Sequence, residues 1–206
     1  MRSTTGRRLA LIVALGAMAG VAAPAAAQKH ELTVLAGLHL GGQFEDPATD
    51  AYLTADPDLS IGLILGFPLG NDRTLEVVWT HEFVHVPASS GEGADVDLSL
   101  DTISVGGTYE WGDGKVRPFV SGTVGLTLLN PDASGYDLEL LLAGTLGGGI
   151  KVPISQRAYL RLEGRGIMML ATGSAAGVCG GGACVLGFSG AGIGQLEFLA
   201  GLAFSF

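Results

Sequence analysis

From Leu59 to the end of the chain, apolar and polar residues alternate with a period of two, the pattern of an extended strand with two unlike faces. One strand sets Leu59, Ile61, Leu63, Leu65 and Phe67 against Ser60, Gly62 and Gly66, and the next sets Leu75, Val77 and Trp79 against Glu76, Val78, Thr80 and Glu82. From Ile103 the apolar face is Ile103, Val105, Gly107, Tyr109 and Trp111, and from Val120 it is Val120, Gly122, Val124, Leu126 and Leu128. Leu138, Leu140, Leu142, Leu146, Ile150 and Val152 then oppose Glu139, Thr145 and Lys151, and Leu160, Leu162 and Met168 oppose Arg161, Glu163 and Arg165. A first strand near Leu32 to Gly41 and a last near Gln195 to Phe206 bring the count to eight. Residues 166–196 carry no Lys or Arg, but ten of the 31 are Gly. Each Gly costs about 1 kcal/mol relative to Ala in a helix, which excludes a helix there.

Alternation alone does not say which face meets water. A soluble sandwich or barrel buries its apolar face, whereas a membrane barrel turns it outward to lipid and keeps polar side chains inside. Three features favour the second. Connections alternate between short (68–73, 112–115, 153–157) and long (42–58, 86–97, 129–137, 171–192), as in outer-membrane barrels. Phe67, Tyr109, Trp111, Phe204 and Phe206 fall at the short-turn end of their strands, where an interfacial girdle belongs, with Phe83 and Phe198 as a sparser opposite girdle. The chain also stops within a strand, on an aromatic residue. The expected fold is all-β: a closed antiparallel transmembrane β-barrel of eight strands.

The segment from Gln195 to Phe206 resembles the C-terminal signature by which Gram-negative assembly machinery reads outer-membrane barrels, with Phe198, Leu202, Phe204 and Phe206 as its signal residues. The chain after residue 27 is similar to small eight-stranded barrels of the OmpA/OmpX kind. Gly106-Gly-Thr-Tyr109, Val116-Arg-Pro-Phe-Val120 and Leu160-Arg-Leu-Glu-Gly164 resemble segments of porin-family barrel proteins. The resemblance implies an outer-membrane location, contact with outer-membrane lipid and lipopolysaccharide, and dependence on the barrel-assembly machinery.

Composition refines this picture. The 206 residues include 34 Gly, are 48% hydrophobic and 15% charged, and carry a net charge of -9, which argues against disorder and against a nucleic-acid partner. Arg2, Arg7 and Arg8 precede an apolar run from Leu9 to Val21, and small residues at Pro24-Ala-Ala-Ala27 complete the order of a secretory signal peptide over residues 1–27. The apolar run falls short of the ~20 residues of a spanning helix. Cleavage leaves 179 residues, 28–206, with eight Lys and Arg against 20 acids, a charge of -12. Eleven of those acids, including Asp58, Asp97 and Asp101, are expected in the long outer loops as a rim that could bridge divalent cations to lipopolysaccharide.

An eight-stranded barrel has an interior just wide enough to be filled by side chains. The expected inward charge network is Glu76, Glu82, Glu110, Glu139, Glu163 and Glu197 with Arg117, Lys151, Arg161 and Arg165. It forms a paired plug on the leading reading and a narrow ion path on the rival one. Gly107, Gly122, Gly144, Gly148, Gly164 and Gly166, on the lipid side, are expected to serve tight curvature. His81-Glu-Phe-Val-His85 matches the zinc-protease pattern, which needs a helix. On a strand the two His lie ~13 Å apart, too far to share a metal. Cys179 and Cys184, four residues apart in the last long loop of an exported chain, are expected to form a disulfide. No cofactor or metal site is expected. A barrel enzyme would need nucleophile, base and orienter to converge, and the neighbours in sequence of His30 and His39 supply no such set. The reading is therefore a non-enzymatic structural or surface-interaction barrel, with a small channel or a transporter of ions or apolar compounds as the alternative.

Overall fold

The computed structural model describes residues 30–46, 51–70, 72–86, 96–112, 114–131, 138–171, 177–180, 183–188 and 192–206; the expected signal peptide lies outside them. Twelve strands follow in chain order among the described residues: β1 (Glu31–Gly41), β2 (Gln43–Asp46), β3 (Ala51–Thr54), β4 (Asp58–Gly70), β5 (Arg73–Val86), β6 (Val96–Glu110), β7 (Arg117–Pro131), β8 (Glu139–Pro153), β9 (Ala158–Ala171), β10 (Gly177–Gly180), β11 (Ala183–Phe188) and β12 (Gly192–Ser205). Eight of them close a barrel in the order β1-β12-β9-β8-β7-β6-β5-β4, with every adjacent pair antiparallel.

The other four form a separate sheet, β10-β11-β2-β3, where the sequence pattern led us to expect loops. These strands are four to six residues long, too short to show alternation. The chain leaves the barrel for this sheet at Gly41 and Gly42, whose φ of 91° and 97° suit glycine. Gly42 stays tied to the barrel's outer end, donating to the Gly194 carbonyl at 3.2 Å and accepting from the Ala55 amide at 3.0 Å. Asp58, Asp97 and Asp101 are likewise on barrel strands rather than in loops.

Tracing paired residues once around the barrel from Glu31, through Gly66, Glu76, Gly106, Thr123, Thr145, Ile167 and Gln195, returns to β1 at Gly41. The ladder has climbed ten residues in one circuit of eight strands. At about 3.3 Å per residue and about 4.8 Å between strands, this shear sets a tilt of ~41° and a radius of ~8 Å. Such a wall leaves room for one layer of side chains from each side.

Which face points where follows the alternation. Val34, Leu63, Ile103, Val124, Leu146, Met168 and Leu196 point outward and are exposed, while Glu76, Thr80, Thr123, Lys151, Arg161 and Glu197 on alternate positions are buried. An apolar exterior around a polar core is stable only where the surroundings are themselves apolar, so the wall faces lipid. Tyr109 and Trp111 stack at the short-turn end, with ring centroids 6.2 Å apart, beside exposed Phe67, Phe204 and Phe206. Phe83 lies near the outer end; Phe198, paired with Leu38 and Gly164 in mid-wall, does not belong to an outer girdle.

Candidate functional site in the lumen and at the outer rim

The inward side chains form layers. At the short-turn end, Lys151 is buried and donates to Glu31 and Glu110, each at 2.8 Å, and Arg117 reaches Glu110 at 3.3 Å while stacking over Tyr159. Further in, the Arg161 guanidinium grips both oxygens of Glu76 at 2.7 and 3.2 Å and reaches Glu163 at 2.8 Å, with the Phe119 ring 4.6 Å beneath it. This pairing is bidentate and cation–π at once, the geometry in which Arg outperforms Lys. Ser121 donates to the second oxygen of Glu163 at 2.7 Å. One flank of the next level is aliphatic, made by Leu35, Ile64, Val78 and Leu199.

In mid-barrel Arg165 donates to Glu197 at 2.5 Å, and Ser60 donates to the other oxygen of that carboxylate. Hydroxyls line the wall beside them, with Thr102 to Thr127 at 2.7 Å, Thr123 to Ser104 at 3.0 Å and Thr123 to Thr145 at 2.7 Å. The His39 ring, fully buried, bonds the Phe83 carbonyl at 2.6 Å. A carbonyl only accepts, so Nε2 carries the proton. That carbonyl lies beyond the last β4–β5 pair, Ser60 with Glu82, and His39 supplies the partner the ladder no longer provides. Buried nearby are Glu82 and Gln195, whose Glu82 Oε2 and amide atoms have no partner among the described residues. Above all this, Val84, Val86, Leu98, Leu100, Leu129, Leu141, Met169 and Ile193 pack into an aliphatic layer across the outer mouth.

All ten expected inward charges thus lie on the inward faces of their strands, and eight of them are ion-paired; Glu82 is in none of the ion pairs found among the described residues. Glu139 is half-buried at the outer end of β8 and also joins none of them, because the aliphatic layer separates it from the cations below. Glu31 was missed: it sits one residue before the expected start of β1, and only cross-barrel register brings it to Lys151. His39 and Phe119 gave no pattern of their own, being single residues in unremarkable alternation.

Outside the barrel, His81 and His85 share the outward face of β5, as a strand requires, and each meets an aspartate of β6. The distances are 3.0 Å for His81 Nδ1 to Asp101 and 2.6 Å for His85 Nδ1 to Asp97. Glu82 points into the lumen, which removes the base from any zinc-protease arrangement, and no group of three metal-ligating side chains occurs among the described residues. Cys179 and Cys184 are backbone partners across β10 and β11; their side chains lie outside the described residues. Phe206 is exposed beside His30, Phe204 is exposed, and Phe198 and Leu202 face lipid.

No protein-family model matches the chain and no curated protein does. Solved structures do. The crystal structure of Neisserial surface protein A is 14% identical, with a TM-score of 0.57, over 85% of this chain and 97% of its own. The solid-state NMR structure of the outer membrane protein AlkL in DMPC bilayers is 13% identical, with a TM-score of 0.55, over 89% of this chain and 94% of its own. The chain has the fold of the small eight-stranded outer-membrane β-barrels.

Proposed function

We propose that this protein resides in a bacterial outer membrane as a non-conducting barrel, of the structural or surface-interaction class, whose work is done by its outer surface. One observation carries the reading. Inward side chains of the middle and outer levels, from Glu76 and Arg161 through Glu197 to Leu100, are buried. A water-filled path would leave them exposed, and an aliphatic layer at its mouth would oppose the entry of ions. A lumen so filled is a scaffold that fixes strand register, and it leaves the loops, the second sheet and the lipid-facing wall to meet partners.

The remaining expectations belong to this reading. Residues 1–27 direct export through the periplasm, Phe198, Leu202, Phe204 and Phe206 present the signal read by the assembly machinery, a Cys179–Cys184 disulfide stiffens the outer sheet, and the acidic rim meets lipopolysaccharide through divalent cations. The test is conductance of the purified protein in planar bilayers. Silent membranes are expected; discrete current steps would overturn the reading in favour of a channel.

A further inference from the structure

At the outer edge of the lipid-facing wall, four chemically competent side chains converge from three adjacent strands. The outward apolar run ends on the cross-strand pair Trp79 and Ile103, and the next outward pair is His81 and Asp101. One pair further out, Ser99 lies opposite Phe83 on β5 and opposite Asn130 on β7. His81, Asp101, Ser99, Asn130 and Phe83 line one concavity of about 550 Å³, together with Asp58. A shear of ten over eight strands shifts the level by a little over one residue per strand, so His81 stands roughly level with Leu142, Met168 and Leu196 of the far wall. The cluster therefore sits where acyl chains meet the polar part of the outer leaflet, the depth of an ester bond.

We propose that this concavity is an acyl-ester hydrolase site for outer-leaflet lipid, with Ser99 as nucleophile and His81 as general base. Asp101 accepts the Nδ1 proton of His81 at 3.0 Å, which fixes the tautomer with its lone pair on Nε2 and stabilises the imidazolium once formed. Ser99 is the diagonal cross-strand neighbour of His81, at a spacing that a ring can span. Its hydroxyl has no hydrogen-bond partner among the described residues, and catalytic contacts of this kind commonly close only around substrate. Asn130, directly across from Ser99 at about 5 Å between Cβ atoms, places an amide donor where the carbonyl oxygen gains charge. The Phe83 ring, 4.6 Å from the His81 ring, makes the apolar wall against which an acyl chain lies.

In the reaction, Ser99 Oγ adds to the ester carbonyl as its proton passes to His81 Nε2. The carbon–oxygen bond to the lipid alcohol breaks and that alcohol takes the proton. Water, deprotonated by the same imidazole, then releases the fatty acid and restores Ser99. No redox partner or metal is required. Asp101 is a positioning residue, since it acts through His81.

The inference depends on the outer-membrane reading but fails separately from it, because conductance and hydrolysis are independent measurements. The whole protein is reconstituted into vesicles of phosphatidylglycerol or of lipopolysaccharide, and released fatty acid is measured by mass spectrometry; the arm that yields product identifies the lipid. A fluorophosphonate probe reads the nucleophile directly. Expected are fatty-acid release and Ser99 labelling, both abolished in Ser99→Ala and His81→Asn. Asn130→Ala lowers kcat by 10²- to 10³-fold. Asp101→Asn lowers kcat with KM unchanged, and slows labelling. Each variant keeps the heat-dependent gel mobility of the folded barrel. No release from either lipid together with no labelling, or release that survives Ser99→Ala, would overturn the proposal.

Discussion

Glycine tells the most about how tightly the wall is built, and two substitutions on neighbouring strands separate obligatory from permissive positions. An alanine Cβ at Gly125, on the inward side of β7, would lie 2.1 Å from the Ile103 carbonyl oxygen and 2.5 Å from the Ser104 Cα on β6. Ordinary contact begins near 3.4 Å, so β6 and β7 would have to part by about 1.3 Å. That stretches local ladder hydrogen bonds of about 2.9 Å past the range in which they hold. Two such bonds at about 1 kcal/mol each, with overpacking strain of about 1–3 kcal/mol, put Gly125→Ala at about 3–5 kcal/mol of lost stability. On β8, Gly144 faces lipid, with nothing within 4 Å of the added carbon. Gly144→Ala removes freedom from the unfolded chain and is expected to be neutral or to stabilise by about 0.5–1 kcal/mol. Urea unfolding from lipid vesicles, followed by the fluorescence of Trp79 and Trp111, measures both. Equal losses for the two variants, or a Gly125→Ala barrel as stable as the parent, would refute the close-approach argument.

Arg161→Met leaves Glu76 and Glu163 buried without their cation and is expected to destabilise by about 3–5 kcal/mol in the same assay. Arg161→Met combined with Glu76→Leu and Glu163→Leu removes all three charges and should recover much of that loss. Leu129→Ala opens a cavity in the aliphatic layer, with an expected loss of about 2–5 kcal/mol. Phe206→Ala, at an exposed position, should leave the unfolding midpoint near that of the parent while lowering the yield of barrel in outer-membrane fractions. Thiol titration of the unfolded, unreduced protein is expected to find no free thiol, and two after reduction.

The barrel strands were legible because their information is local. Alternation at period two names the strands, and charges such as Glu76, Arg161 and Arg165 on the second face decide that lipid, not water, lies outside. Quantities set between strands were not legible. The ten-residue shear depends on eight registers that no single segment encodes, and it is the register that joins Glu31 to Lys151 across 120 residues and Asp101 to His81 across 20. Close backbone approach at glycine was not legible for the same reason. Outward Gly107, Gly122, Gly144, Gly148, Gly164 and Gly166 attract attention by interrupting apolar runs, yet the closest backbone approaches are at inward Gly37, Gly106, Gly125, Gly149 and Gly201. Of the outward set, Gly107 alone has a neighbour closer than 3.0 Å, the Thr74 carbonyl oxygen at 2.7 Å. The second sheet escaped notice because segments such as Gln-Phe-Glu-Asp and Gly-Val-Cys-Gly carry neither alternation nor length.

Period two also explains how one wall performs two unrelated tasks. On β5 the inward residues Glu76, Val78, Thr80, Glu82 and Val84 belong to the lumen, while Trp79, His81, Phe83 and His85 between them make the rim. On β6, Thr102, Ser104 and Thr108 join the hydroxyl and carboxylate contacts inside, and Asp97, Ser99 and Asp101 face out. Backbone hydrogen bonds hold both sets at fixed spacing, yet a sheet one residue thick keeps their side chains from touching. The filled interior supplies the rigidity that a surface site on an otherwise thin cylinder would lack, because Arg161 and Lys151 each tie together strands across the lumen, and Arg165 holds Glu197 on the neighbouring strand, which Ser60 of β4 also binds. Substitution of an outward polar residue should then leave register and closure intact, whereas loss of a lumen cation should loosen the rim from within. Arg165→Met is accordingly expected to destabilise the barrel and to diminish any chemistry at Ser99, although no atom of Arg165 faces that site, while Ser99→Ala should leave unfolding unchanged. A Ser99→Ala barrel that unfolds as readily as Arg165→Met would show that the two faces are not independent.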